Sequence, residues 1–178
     1  ELCRDIAQKF NNDFGINEFF KIPIPLIQKK FARIMSLKDG SKKMSKSELS
    51  DLARINLNDN KDQIINKIKK AKTDTLPFPS STEELNQRPE AKNLLGIYCS
   101  LTNTNLENSI KNFSGKNFSE FKENLSEALI EKIYPISLEI KKLTNDKTYI
   151  DKILNDGYEK ANEIASKKLK KIQEILGF

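Results

Sequence analysis

With 178 residues the chain is long enough to bury a core, as one domain or as a small domain joined to part of another. Its 31 Lys and Arg against 25 Asp and Glu leave a net charge of +6 and a pI near 9.2, which suits a polyanionic partner such as RNA. Histidine is absent, and Cys3 and Cys99 lie far apart at no metal-ligand spacing, which argues against an imidazole base, a zinc site or a disulfide framework. No apolar run approaches transmembrane length and no signal peptide is visible, so a cytoplasmic protein with reduced thiols is expected. The first residues read as the middle of a helix with no initiator Met, so a piece of a longer chain is expected.

In chain order, Glu1 to Phe10 places Leu2, Ile6 and Phe10 on one helical face, and Asn11-Asn12-Asp13 ends the helix. From Phe14 to Leu26 the pattern breaks. Gly15, Pro23 and Pro25 interrupt Phe19, Phe20, Ile22 and Ile24, which predicts an extended connection packed on a core. Ala32 to Leu37 reads as the last strand of a nucleotide-binding sheet. It leads into a turn at Lys38-Asp39-Gly40-Ser41 and then Lys42-Lys43-Met44-Ser45-Lys46-Ser47, at the carboxyl end where open α/β sheets bind ligands. A short extended piece at Ile55 and Leu57 precedes a helix from Asp59 to about Lys72. Its Ile64, Ile65, Ile68 and Ala71 form an apolar face, with Lys67, Lys69, Lys70 and Lys72 on the other side, either solvated or facing RNA.

Thr73 to Arg88, with Pro77, Pro79 and Ser80-Ser81-Thr82, is a turn-rich connection. Pro89 opens a helix to about Leu101 that turns Leu94, Leu95, Tyr98 and Leu101 to a core. Asn105 and Ser109 bracket a short helix ending near Phe113 and closed by Gly115. Ser119 caps the next, which buries Phe121, Leu125, Leu129 and Ile133 and is kinked or interrupted by Pro135 before Ile136 to Leu143. A last long helix covers about Thr148 to Leu176, with Gly157 a weak point. Tyr98, Tyr134 and Tyr158 read as stacking platforms or as core. Lys141, Lys142, Lys167, Lys168, Lys170 and Lys171 read as phosphate contacts or as a solvated face.

The stretch Lys43 to Ser47 carries the chemistry. Two lysines three apart, separated by Met and Ser and preceded by Gly and Ser, give a mobile loop that can bring two ammonium groups onto a polyphosphate, while Ser45 and Ser47 donate hydrogen bonds. That suits phosphoryl or nucleotidyl transfer driven by positioning and electrostatics rather than by a side-chain nucleophile. A solvated basic loop is the plain alternative. The pentapeptide matches, letter for letter, the second signature of class I aminoacyl-tRNA synthetases. An ordered series of short matches makes the chain resemble, within that class, the tryptophanyl-tRNA synthetases of bacteria and organelles. They are Glu1-Leu2 to Arg4-Asp5-Ile6-Ala7, Ala32 to Leu37, Lys67 to Asp74, Arg88 to Leu95 with Ile97-Tyr98, Phe121-Lys122, Tyr134-Pro135-Ile136, Ile153-Leu154 followed by Gly157, and Gly177-Phe178.

The resemblance implies a mostly α chain: residues 1–58 as the C-terminal remnant of a Rossmann-like catalytic domain with its last strand and signature loop, and 59–178 as a helical anticodon-binding domain. It implies ATP-dependent activation of tryptophan, with Mg²⁺, followed by transfer to tRNA(Trp), in an enzyme that is a homodimer when intact. Lys43 and Lys46 would be catalytic, contacting phosphates, with Met44 near the adenine and Ser45 and Ser47 supporting the loop. The tryptophan pocket and the first signature would lie outside this chain, which alone would be inactive. A tyrosyl-tRNA synthetase fragment and a non-catalytic helical tRNA-binding module are the rival expectations.

Overall fold

Side-chain caps set most of the helix starts in the computed structural model, which describes residues 1–27 and 32–178. Asn60 and Gln63 form a reciprocal capping box, Asn60 Oδ1 accepting from the Gln63 amide at 2.9 Å and Gln63 Oε1 from the Asn60 amide at 2.8 Å. Ser81, Asn105 and Asp146 cap three further helices in the simpler way. The described elements are α1 (Leu2–Asp13), α2 (Lys61–Lys69), α3 (Thr82–Asn86), α4 (Pro89–Thr102), α5 (Leu106–Phe113), α6 (Phe118–Asn145) and α7 (Lys147–Leu176), with one 3₁₀ turn at Asp51–Ala53. The protein is mostly α, and no strand occurs among the described residues.

The chain divides into two compact units. One comprises Glu1–Gln28 with Asp146–Phe178. Here Phe10 stacks at 4.8–5.3 Å from Phe14, Phe19 and Phe20, and the Lys168 ammonium sits 3.7 Å from the Phe19 ring centre while donating to the Phe19 carbonyl. Asn11 pairs both edges of its amide with the backbone of Phe20, at 2.8 and 2.9 Å. The expected packing of the 14–26 connection holds for Phe19 and Phe20 and not beyond them. Ile24 and Leu26 are exposed, because Pro23 and Pro25 keep the backbone extended and lead it away from the aromatic cluster. Helix α7 runs through Gly157 and ends at Gly177, whose φ of 83° is the left-handed cap that glycine adopts without strain.

The other unit, Lys29–Asn145, holds the main core. Ile64 and Ile68 of α2, Leu94 and Leu95 of α4, and Phe121, Leu125 and Leu129 of α6 close around Phe78, whose ring lies 4.7 Å from that of Phe121. Pro89 opens α4 as expected, since its missing N–H is no loss at a first helical position. Pro135 does not interrupt α6, which continues to Asn145. Ser119 lies inside α6 rather than at its cap, Ser109 lies inside α5 rather than at its edge, and α3 forms within the stretch expected to be a turn-rich connection.

Lys67 is the main departure from the sequence pattern. It was expected on a solvent-side basic face and is 2% exposed, because its ammonium reaches the carboxylates of Asp59 at 2.6 Å and Asp51 at 2.7 Å. Asp59, 3% exposed, therefore precedes the helix as a partner instead of starting it. Ile65 takes the exposed position. A second clamp gathers the 73–88 connection: Arg88 donates to Asp74, Glu84 and the Pro77 carbonyl. Burial alone would raise the Asp74 carboxyl, yet the Arg88 hydrogen bond and the Leu76 amide outweigh it and hold it below the ordinary value. Lys122 donates to the carbonyls of Ala71 at 2.7 Å and Lys69 at 3.3 Å, satisfying the end of α2, and its burial lowers its pKa.

Two outcomes follow. Lys67→Met, which strands the Asp59 carboxylate in the core, is expected to cost about 3–5 kcal/mol in urea unfolding, while the double change with Asp59→Leu recovers most of it. Because the Asp74 carboxyl titrates lower in the folded chain than unfolded, its stabilisation is full above the unfolded value near 4 and is lost as pH falls through the folded one; Asp74→Asn should flatten the acid limb of a thermal-stability profile.

Candidate functional site

The loop at 42–47 is held at its entry, along its length and at its exit by different parts of the second unit. At the entry, Asp39 accepts from the Ser41 hydroxyl at 2.6 Å and amide at 3.0 Å, an Asx turn that holds its carboxyl below the ordinary value, with help from Lys42 and Lys72. Gly40 then rests on the first residues of α4: a Cβ there would fall 2.7 Å from the Glu90 nitrogen and 2.8 Å from the Pro89 carbonyl oxygen. Only glycine fits such an approach. Lys72 and Glu90 are paired beside it at 2.8 Å; the hydrogen bond between them raises the lysine pKa and lowers that of the carboxyl.

Along its length, the segment 32–37 is extended but is not the strand of a sheet. A single antiparallel bridge joins Met35 to Lys43, flanked by Ser36 N–H to the Lys42 carbonyl at 2.8 Å and Met44 N–H to the Ile34 carbonyl at 3.0 Å. The other edge of Met35 faces α4, where Asn93 takes the place of a neighbouring strand: its Oδ1 accepts the Met35 N–H and its Nδ2 donates to the Met35 carbonyl, each at 2.8 Å. The strand expected over Ala32 to Leu37 is thus corrected. One of its edges is occupied by its own loop and the other by a helix side chain, so no ladder forms.

At the exit, Arg54 donates to the Glu48 carbonyl at 2.8 Å and to Asn56 at 3.1 Å and pairs with Asp51 at 3.2 Å. Asp51 is shared with the buried Lys67, whose hydrogen bond is the main cause of its lowered pKa, followed by that of Asn56. The loop exit is therefore tied to α2.

Between these anchors lies a cleft of about 470 Å³, within the size range of small-molecule sites. Arg33, Lys43, Lys46 and Arg54 line it together with Met44, Ile55 and the Ser45 side, and among the described residues no carboxylate does. A smaller cavity of about 200 Å³ on the loop's other side brings Asp39 and Glu48 near Lys42, with Lys43 common to both. Lys43 and Lys46 are exposed, and neither has an ion-pair partner among the described residues. Met44 is half-buried against the core. The Ser45 and Ser47 hydroxyls lie 2.9 Å apart and the Ser47 amide donates to Ser45 Oγ at 3.3 Å, which shapes the bend carrying Lys46.

Arg33, Arg54 and Asn93 were not picked out for this site by the sequence; Gly40 was read as part of the turn into the loop and not as a contact with α4. Only Asp51 and Arg54, at helical i, i+3 spacing, carried a local signal. Of the candidate stacking tyrosines, Tyr98 packs edge-on to Phe113 at 5.3 Å, Tyr134 lies under Lys61 at 4.8 Å, and Tyr158 is exposed. Among the described residues no group of three or more His, Cys, Asp or Glu is placed to hold a metal ion. No described helix is long and apolar enough to cross a membrane.

Residues 1–133 match the family described as tRNA synthetases class I (W and Y). A relative from Mesorhizobium japonicum named tryptophan–tRNA ligase is 46% identical over 99% of this chain and 55% of its own length. Another of that name from Rickettsia felis is 49% identical over 100% of this chain and 53% of its own. The crystal structure of tryptophanyl-tRNA synthetase from Mycoplasma pneumoniae superposes with a TM-score of 0.77 at 26% identity, covering 98% of this chain and 51% of that one. The chain spans about half the length of the curated relatives it matches.

Gly40→Ala tests the seating of the loop on α4. The added methyl should push the turn off the helix, lower stability by about 1–3 kcal/mol and speed amide exchange across residues 36–44, whereas unchanged exchange there would show the contact to be dispensable.

Proposed function

Since the chain belongs to the class I tRNA synthetases of the tryptophan and tyrosine kind, we propose that it is the C-terminal portion of a tryptophan–tRNA ligase and supplies the triphosphate-binding loop of its active site. The observation that carries this is the cleft whose described lining has four cationic side chains and no carboxylate, and in which Lys43 and Lys46 have no ion-pair partner among the described residues. A cation with no internal counter-charge, mounted on a short loop, is available to an anion. The relatives' names favour tryptophan over tyrosine.

In this reading the tryptophan carboxylate attacks the α-phosphate of ATP, and charge develops on the departing pyrophosphate. Lys43 and Lys46 stabilise that charge, Met44 offers its half-buried thioether to the adenine, and Ser45 and Ser47 hold the bend and donate to phosphate oxygens. No base is needed, because the attacking carboxylate is already ionised at neutral pH. Mg²⁺ is assigned no ligand among the described residues, since none are grouped to hold it; its chemistry would be to neutralise the triphosphate it accompanies. The division into a catalytic part over 1–58 and an anticodon-binding part over 59–178, the contact with tRNA(Trp), the homodimer and the cytoplasmic setting belong to this proposal for the whole enzyme.

The test uses the intact ligase. Tryptophan-dependent ATP–pyrophosphate exchange should fall by about 10²–10³ on Lys43→Ala or Lys46→Ala, with little change in the KM for tryptophan. Exchange supported by tyrosine alone, or insensitive to both lysines, would overturn the assignment.

A further inference from the structure

The cations of the cleft can act on a pyrophosphate only if the backbone that carries them is fixed, and the structure shows one side chain fixing Met35, opposite Lys43, from behind. Asn93 lies in α4, 9% exposed, with its amide fully engaged by one residue, Met35, through two hydrogen bonds of 2.8 Å. Met35 is the residue bridged to Lys43. A strand in a sheet would set this register through many ladder bonds. Here two bonds from one carboxamide hold that edge at Met35, with the backbone bonds of Leu37 to Ala53 and Lys72 two residues on, so the register of Lys43 opposite Met35 rests on the carboxamide.

We propose that Asn93 is a positioning residue for adenylate formation, acting on the pyrophosphate through Met35 and Lys43 without touching substrate. This rests on the function proposed above and goes beyond it by assigning a catalytic consequence to a buried helix residue. Asparagine is required for its chemistry as well as its shape, since the site needs one donor and one acceptor on a planar group. Aspartate keeps the shape and supplies only acceptors, which sets a carboxylate oxygen against the Met35 carbonyl.

The consequence is confined to one half of the reaction. Activation expels pyrophosphate, while transfer of the aminoacyl group from the adenylate to tRNA expels AMP and needs no charge at the pyrophosphate position. In the intact enzyme, Asn93→Asp should slow tryptophan-dependent pyrophosphate exchange by about 10²-fold, as expected when a reacting charge is misplaced by about 1 Å. Single-turnover transfer from preformed enzyme-bound adenylate should stay within about twofold. In a Lys43→Ala background the same change should cost little more, because its route is already cut. Equal losses in both half-reactions, or full additivity with Lys43→Ala, would overturn the proposal and leave Asn93 a purely structural residue.

A readout without activity separates this from a failure of the functional assignment. In hydrogen exchange, Asn93→Asp and Asn93→Ala should deprotect peptides covering 34–46 while those covering the centre of α6 around Leu125 keep their protection. Unchanged protection of 34–46 would refute the positioning role whatever the enzyme's substrate. Deprotection together with no exchange activity in the unsubstituted enzyme would support the positioning geometry and refute the ligase reading.

Discussion

An extended backbone lying beside helices must find hydrogen bonds that no sheet supplies, and that constraint shapes the site. Buried amides and carbonyls left unpaired cost about as much as a lost hydrogen bond each, so segment 32–37 recruits partners one at a time. Its own loop answers one edge, and Asn93 answers the other at Met35. Leu37 then takes the Ala53 carbonyl and gives its own carbonyl to the Lys72 amide. Asn11 solves the same problem for Phe20 in the other unit. In both cases a planar carboxamide imitates one residue of a missing strand, which no residue lacking both a donor and an acceptor can do.

Charge is distributed by the same logic. Lys67, Arg88 and Arg54 are withdrawn into networks in which each donor has a carboxylate or carbonyl, and these networks tie connections to helices. Lys72 and Glu90 neutralise each other beside the turn at Gly40. Once these pairs are made, Lys43, Lys46 and Arg33 keep their positive charge unpaired among the described residues, around a cleft whose described lining holds no carboxylate. Segregating paired from unpaired cations aims a field at one place, and the net charge of +6 alone would not do so.

Much of the helical framework was legible, and the reasons are local. Pro89 at a first helical position and the apolar stripe of Phe121, Leu125 and Leu129 are signals written within a few residues of where they act. Lys67 misled because a lysine among lysines reads as solvent-facing, and its partners Asp51 and Asp59 lie outside the helix that carries it. The loop itself was read from five residues, whereas what holds it was not: Asn93 is 58 residues from Met35, and nothing about one asparagine in an apolar helix announces a backbone partner. The strand failed for the same reason, since alternation in a short apolar run cannot say whether a strand or a helix will lie beside it.

The division between a fixed backbone and free side chains has a physical advantage for electrostatic catalysis. Charges stabilise a transition state best when they need not reorganise as it forms, yet long lysine side chains each carry about 2 kcal/mol of rotamer entropy. Fixing Gly40 on α4, Met35 on Asn93 and Glu48 on Arg54 limits that freedom to the side chains themselves. On the function proposed above, Lys43 and Lys46 would then admit a triphosphate while open and engage it over short distances when it arrives. A loop with mobile backbone as well would lose more entropy on engagement, and one with buried lysines would exclude the ligand. The arrangement seen lies between these limits, and three contacts outside the signature, from Pro89 and Glu90, from Asn93 and from Arg54, hold it there.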